Sequence, residues 1–345
     1  MYQIPEKLKN VTPYEPNVGE YPIRLDANES FLHPTKLLQD EILNALSKVE
    51  LRRYPDPMAT EVTKLYSQYY NIDPRFVTAS NGSDEMISII INGFLQAGDK
   101  LCVAEPDFSM YRFYAEVSGV EVVNAGKNED LTIDVDNLIK TVNDSGAKML
   151  IFSNPCNPTS LGIKKDEVRK IINSVSALVV VDEAYMDFWD QSLINEIHNY
   201  DNAILLRTCS KMMGLAAIRL GFAVANEKLT NLLRAIKSPY NVNSLTQAAA
   251  CAVLKNKRLI DSAVDAAVES RNELYLSIQQ LQKVRNFTLY ETCTNFVFIK
   301  TPRSDYVFEQ LKSMGILIRK FNGYLRITAG TPEENMAVLR ALNKI

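Results

Sequence analysis

Between residues 76 and 206 one design is written five times: a short apolar run ending abruptly in polar residues, with helical stretches between the copies. The runs are Phe76–Ser80, Lys100–Ala104, Met149–Phe152, Ala177–Val181 and Ala203–Leu206. Ala177-Leu178-Val179-Val180-Val181 shows no polar alternation at all, so both of its faces have to be covered. Buried β-branched runs alternating with helices indicate the α/β class, with a mostly parallel sheet flanked by helices. In open sheets of this kind a ligand sits beyond the carboxyl ends of the strands. The polar residues that close each run are therefore the place to look for function.

Those ends carry, in order, Asn81-Gly82-Ser83-Asp84-Glu85 opening a helix, Phe108-Ser109-Met110-Tyr111, Ser153-Asn154-Pro155-Cys156-Asn157-Pro158, Asp182-Glu183-Ala184-Tyr185, and Thr208-Cys209-Ser210-Lys211 with Arg219 eight residues on. Taken singly, each has an ordinary structural reading. Asn-Gly-Ser-Asp is a common turn and helix cap, and Asn-Pro pairs form turns. Asp182 could cap a helix, and Tyr111 and Tyr185 could be packed aromatics with satisfied hydroxyls. Arg219 could cover apolar surface with its stem. Five such ends on one sheet edge are another matter.

Together they describe a ligand that accepts a lysine, a carboxylate, a phenol and an amide, and that carries an anion. Gly82, Ser83 and Asp84 at a helix start offer backbone N–H groups and the positive end of the helix dipole. Thr208, Ser210 and Arg219 can close on the same phosphate. Pyridoxal 5'-phosphate meets this description. Lys211 would be the nucleophilic amine, Asp182 would pair with the ring nitrogen, Tyr185 and Asn157 would bond the ring's phenolic oxygen, and Tyr111 would stack on the ring face.

The rest of the chain supplies a frame. Residues 1–34, with prolines at 5, 13, 16, 22 and 34, read as an extended arm, and residues 35–238 as the large cofactor-binding domain. The tail alternates strands and helices beyond two long helices over 244–283, so residues 239–345 read as a small α+β domain. The formal net charge of −3 argues against nucleic acid as a partner. Two distant histidines and no Cys-x-x-Cys pair argue against a metal site. Five scattered cysteines fit reduced thiols. With no apolar run after the first charged residues and none long enough to cross a bilayer, a cytoplasmic protein with no membrane partner is expected. A nicotinamide enzyme would need a Gly-x-Gly-x-x-Gly turn after an early strand, and none is present.

The motifs quoted above, with Pro13-Tyr14-Glu15, Leu25-Asp26-Ala27-Asn28-Glu29, Arg53-Tyr54-Pro55-Asp56 and Leu325-Arg326-Ile327-Thr328, make the chain resemble the fold-type-I pyridoxal-phosphate aminotransferases over nearly its whole length. Among them it is most similar to the branch acting on histidinol phosphate. Branches acting on aromatic amino acids or threonine phosphate share nearly every motif. The resemblance implies that Lys211 also shuttles a proton, and that the protein is a homodimer in which Tyr54 reaches the cofactor phosphate of the partner subunit. It implies an amino donor with 2-oxoglutarate and glutamate as small-molecule partners, their anions held by Arg326. Arg319 would assist or stand as an exposed strand charge, and Tyr14 and Asn28 would touch substrate or simply form turns. Three positions depart from the family pattern: Cys156, where asparagine is usual, Ser160, where glycine is usual, and Ser30, where proline usually follows the acid of Asp26-Ala27-Asn28-Glu29. The second costs little unless the backbone there needs a positive φ.

Overall fold

The protein is described by a computed structural model covering residues 2–9, 17–282 and 286–345. Tyr14 lies outside the described residues. In chain order the elements are β1 (Ile23–Leu25), α1 (Pro34–Leu37), α2 (Gln39–Ser47), α3 (Thr60–Tyr70), β2 (Val77–Ser80), α4 (Gly82–Phe94), β3 (Lys100–Val103), α5 (Met110–Ser118), β4 (Glu121–Asn124), α6 (Val135–Ser145), β5 (Met149–Ser153), α7 (Lys165–Ser174), β6 (Leu178–Asp182), β7 (Ala203–Thr208), β8 (Gly221–Ala225) and α8 (Glu227–Ile236). Then follow α9 (Ser244–Leu254), α10 (Lys257–Gln282), β9 (Thr288–Leu289), β10 (Phe296–Lys300), α11 (Ser304–Ser313), β11 (Ile316–Phe321), β12 (Tyr324–Thr328) and α12 (Pro332–Lys344).

Seven strands form the large sheet in the order β2-β8-β7-β6-β5-β3-β4. The five apolar runs of the sequence are β2, β3, β5, β6 and β7. Two strands had no counterpart in the sequence reading: β4 on one edge, and β8, which runs antiparallel to both β7 and β2. The unbroken apolar runs are explained by coverage on both faces. Val179, Val181 and Leu205 pack on one side with Val62, Leu138, Ile171 and Ala250 of the helices, while Val180, Ile204 and Leu206 pack on the other with Ile87, Ile90 and Leu233.

The second sheet, β1-β11-β12-β10-β9, carries its own core of Leu25, Val297, Ile299, Ile316, Ile318 and Ile327 against Leu274, Ile278, Leu311 and Val338. Its edge strand β1 comes from the end of the arm and lies parallel to β11. Helix α10 runs between the two cores: Ile260 and Ala267 pack in the first, Leu274 and Ile278 in the second. Val242, Ala250 and Val253, all beyond Ser238, also belong to the first. The two cores therefore meet along α10, between Ala267 and Leu274.

Candidate active site

The carboxyl ends of β2, β3, β5, β6 and β7 open on a cavity of about 620 Å³, closed from the opposite side by residues 26–29 and by Arg319, Phe321 and Arg326 of the small sheet. Lys211 stands three residues past the end of β7. Its Nζ donates to the Ala27 carbonyl at 2.9 Å and lies 5.8 Å from the centre of the Tyr185 ring. Burial pushes this amine down to about 8, with the Arg326 and Arg219 guanidiniums adding to the shift and Glu29 and Asp182 opposing it. A larger fraction is therefore neutral, and so nucleophilic, near neutral pH than for an ordinary lysine.

Asp182 is the last residue of β6 and faces the cavity. Its Oδ2 accepts from the Tyr111 hydroxyl at 2.8 Å, and its Oδ1 from the Ala184 N–H at 3.0 Å. Burial raises its carboxyl to about 6; those two hydrogen bonds oppose the rise, and Asp107 and Asp84 add to it. Tyr185 lies two residues beyond Glu183, and its hydroxyl accepts from Asn28 Nδ2 at 2.8 Å. Asn28 is held at φ 54°, in the left-handed region, by Thr328 Oγ1 and Asn295 Nδ2 of the small domain. Every polar atom of Asn28 is thereby engaged. Asn28 thus lies in a turn and also lines the cavity.

An anion cradle occupies one end of the cavity. Thr208 Oγ1 and Ser210 Oγ are 3.0 Å apart, and Arg219 Nη1 lies 3.4 Å from Ser210 Oγ. Arg219 itself sits at φ 53°, a strained setting for a residue with a side chain. Its guanidinium lies over the first turn of α4: a Cβ on Gly82 would come within 2.8 Å of Nη2, and Gly82 has φ +83°. A Cβ on Gly221, which β8 places between Ser80 and Thr208, would meet the Ser83 nitrogen at 2.3 Å. Both positions need glycine for this close approach. No side chain caps α4. Its first N–H groups, two hydroxyls and a guanidinium thus converge where the helix dipole favours negative charge. A phosphate-bearing group with a basic ring nitrogen fits this set of donors and the buried carboxylate of Asp182.

The opposite side of the cavity is built by the small sheet. Arg326, only 7 % exposed, donates to the Asp26 carbonyl at 2.6 Å and to Asn157 Oδ1. Arg319 lies beside it across the β11–β12 pair and also lines the cavity. Tyr54 does not line the cavity of its own chain. It is 82 % exposed and stacks on Tyr240 with ring centroids 4.7 Å apart.

Several cavity residues were missed by the sequence reading. Asp107, four residues past the end of β3, accepts from the Ser153 and Phe108 N–H groups and from the Ser153 hydroxyl. Burial raises its carboxyl against the pull of Lys127. Its signal was present, an acid just past an apolar run, but the neighbouring aromatic was read instead. Lys127, remote in sequence, donates to the Pro106 carbonyl at 2.8 Å and contacts Cys156 Sγ at 3.1 Å. Cys156 is thereby the partner of a cation. Ser160 does require a positive φ, 65°, so serine there is strained by roughly 1 kcal/mol. Its hydroxyl gains bonds to the Thr159 and Glu291 carbonyls. Asn154 is structural, its amide bonded in both directions to the Ile163 backbone.

The family model for aminotransferase class I and II matches residues 19–342. The chain belongs to this aminotransferase family. Over 340 residues it is 40% identical to the histidinol-phosphate aminotransferase of Clostridium novyi, covering 97% of this chain and 95% of that protein. The same-named protein of Clostridium kluyveri is 39% identical over 345 residues, 99% of this chain and 97% of its own. In fold the aminotransferase chain is similar to the histidinol-phosphate aminotransferase of Sinorhizobium meliloti, solved in complex with pyridoxal-5'-phosphate. That likeness has a TM-score of 0.88 at 20% identity, covering 100% and 97% of the two chains. Among the described residues, no helix of this aminotransferase is long and apolar enough to cross a membrane.

Proposed function

We propose that the protein transfers the amino group of L-histidinol phosphate to 2-oxoglutarate, forming imidazole-acetol phosphate and L-glutamate, with pyridoxal 5'-phosphate as cofactor. The observation that carries this is one cavity onto which a lysine of lowered pKa, a buried carboxylate and an anion cradle all open. The near-full-length identity to histidinol-phosphate aminotransferases supports the choice of donor.

The phosphate of the cofactor would be held by Thr208, Ser210, Arg219 and the N–H groups of Gly82, Ser83 and Asp84. Asp182 would pair with the ring nitrogen, Asn157 and Tyr185 would bond the ring oxygen, and Tyr111 would flank the ring. Bound there, the cofactor supplies an electrophilic carbonyl and an electron-withdrawing ring, the chemistry amino transfer needs. Lys211, Asp182 and Tyr185 are the catalytic residues. With its affinity for protons lowered, Lys211 Nζ would take a proton from the substrate Cα and deliver it two bonds away, to the carbon that was the cofactor's carbonyl. Asn28, bonded to Tyr185 and gripped by Thr328, positions the phenol and couples it to the small domain. Arg326, with Arg319 beside it, receives the anionic group that both substrates carry.

We further infer a homodimer. Tyr54 carries an exposed aromatic face stacked on Tyr240, and Leu51, Met58, Tyr240 and Leu245 are exposed as well; a partner subunit would cover them and receive Tyr54 at its cofactor phosphate. The five free thiols suit a reducing compartment such as the cytosol.

Lys211→Ala is expected to abolish transamination, and borohydride reduction of the wild-type holoenzyme to attach the cofactor at residue 211. Attachment at another lysine would overturn the mechanism. Comparing kcat/KM for histidinol phosphate, phenylalanine and threonine phosphate tests the donor, and a preference for phenylalanine would overturn that assignment.

A further inference from the structure

Three arginines from adjacent strands of the small sheet line the cavity, and only two of them are accounted for above. Arg24 of β1 is paired with Leu317, and Arg319 of β11 with Arg326 of β12. Paired residues share a sheet face, as do residues two apart on one strand. Arg24, Arg319 and Arg326 therefore project from the same face, the one turned to the cavity. Their settings differ. Arg326 is buried and bonded to Asn157 and to the Asp26 carbonyl. The Arg24 side chain is 48% exposed, and its nearest charge is the Asp26 carboxylate, with Nε 3.8 Å from Oδ1. That is ion-pair range but beyond a hydrogen bond. The other oxygen of Asp26 accepts from the Asn17 amide at 3.2 Å. Two guanidiniums thus approach Asp26 from two sides, one through its carbonyl and one through its carboxylate.

The chemistry of the two substrates gives this asymmetry a use. A carboxylate carries one charge and two oxygens, which one guanidinium fork satisfies. A phosphate monoester carries close to two charges near neutral pH and three peripheral oxygens. Its third oxygen and second charge leave a place for a guanidinium beyond the neighbouring pair Arg326 and Arg319. We propose that Arg24 is a specificity-determining residue, which adds its guanidinium to the phosphate of the phosphate-bearing donor, while Arg326 serves the anions of both substrates. When the bound substrate carries only carboxylates, Asp26 balances the charge of Arg24. This rests on histidinol phosphate being the donor.

The test compares wild-type, Arg24→Gln and Arg24→Lys holoenzymes with L-histidinol phosphate and with L-glutamate as donors. Arg24→Gln is expected to raise KM for histidinol phosphate by about tenfold or more, and kcat/KM for glutamate to fall by less than about threefold. Arg24→Lys, which keeps the charge, should recover most of the loss. Equal losses on both donors, or none on histidinol phosphate, would overturn the proposal. If the wild-type enzyme itself fails to turn over histidinol phosphate, the donor assignment is what fails. Inorganic phosphate as a competitive inhibitor of the glutamate reaction then decides the role of Arg24 separately. Inhibition several-fold weaker in Arg24→Gln supports a phosphate contact, and identical inhibition removes it.

Discussion

At Asp182 the chain holds a carboxyl group under burial, with Asp107 and Asp84 close enough to raise its pKa further. A cationic ring nitrogen relieves that penalty, so the residue is poised for a ligand at the expense of the protein alone. The sign follows from linkage. The carboxyl has an ordinary value of 3.8 and rises to about 6 in the folded protein. Below 3.8 both states are protonated and there is no cost. As pH climbs to 6 the unfolded chain ionises first and the folded state loses relative stability; above 6 the full penalty stands. Asp182→Asn is thus expected to stabilise the cofactor-free protein above pH 6 by on the order of 1–3 kcal/mol. The gain should vanish near pH 4 when unfolding is followed in denaturant at both values. At this scale the sequence was informative about identity and silent about environment. That Asp182 ends a buried strand could be read; that Asp107 shares its surroundings could not.

The ends of β6 and β7 each show the cavity one side chain and turn the next away from it. Asp182 and Tyr185 face the cavity, while Glu183 and Asp187 face a buried cluster; Thr208 faces the cavity, while Arg207 enters that same cluster. Arg207 bonds Glu183 at 2.9 Å and Asp187 at 2.8 Å, and Ser192 and Tyr70 complete the arrangement. One cation therefore ties the loop after β6 to the strand that leads to Lys211. Arg207→Met would leave two buried carboxylates without their cation, and a loss of about 3–5 kcal/mol in equilibrium unfolding is expected. A loss below about 1 kcal/mol would show the cluster to be solvated. The strands themselves were legible because unbroken apolar runs are a local property. The antiparallel β8 was not, since strand direction depends on which neighbours it joins. Neither was β1, a three-residue strand that exists through its pairing with β11, some 290 positions on.

For the whole molecule, the site is predicted to be complete only in a dimer. Lys211→Ala and Tyr54→Ala homodimers should each be impaired, the first more severely. Mixed and re-associated in equal amounts, half of the dimers are hybrids with one intact site, so about a quarter of wild-type activity should return. No recovery despite hybrid formation, checked by mass analysis of differently tagged chains, would place Tyr54 in the site of its own subunit. The passage of α10 from one core into the other joins the two domains by a continuous helix, and Asn28 joins them again at the cavity through Thr328 and Tyr185.

The sequence by itself determined the class of fold and which side chains stand at the strand ends. Apolar runs, turn residues and the side chains that follow them are neighbours along the chain, and their meaning survives without coordinates. The tertiary structure alone decided which distant groups meet them. Lys211 is held by the carbonyl of Ala27, 184 positions away, and a backbone carbonyl leaves no trace in residue identity. Arg326 reaches Asp26 across 300 positions and Asn157 across 169. Such contacts arise from tertiary packing, and that is where the face carrying Arg24, Arg319 and Arg326 came into view.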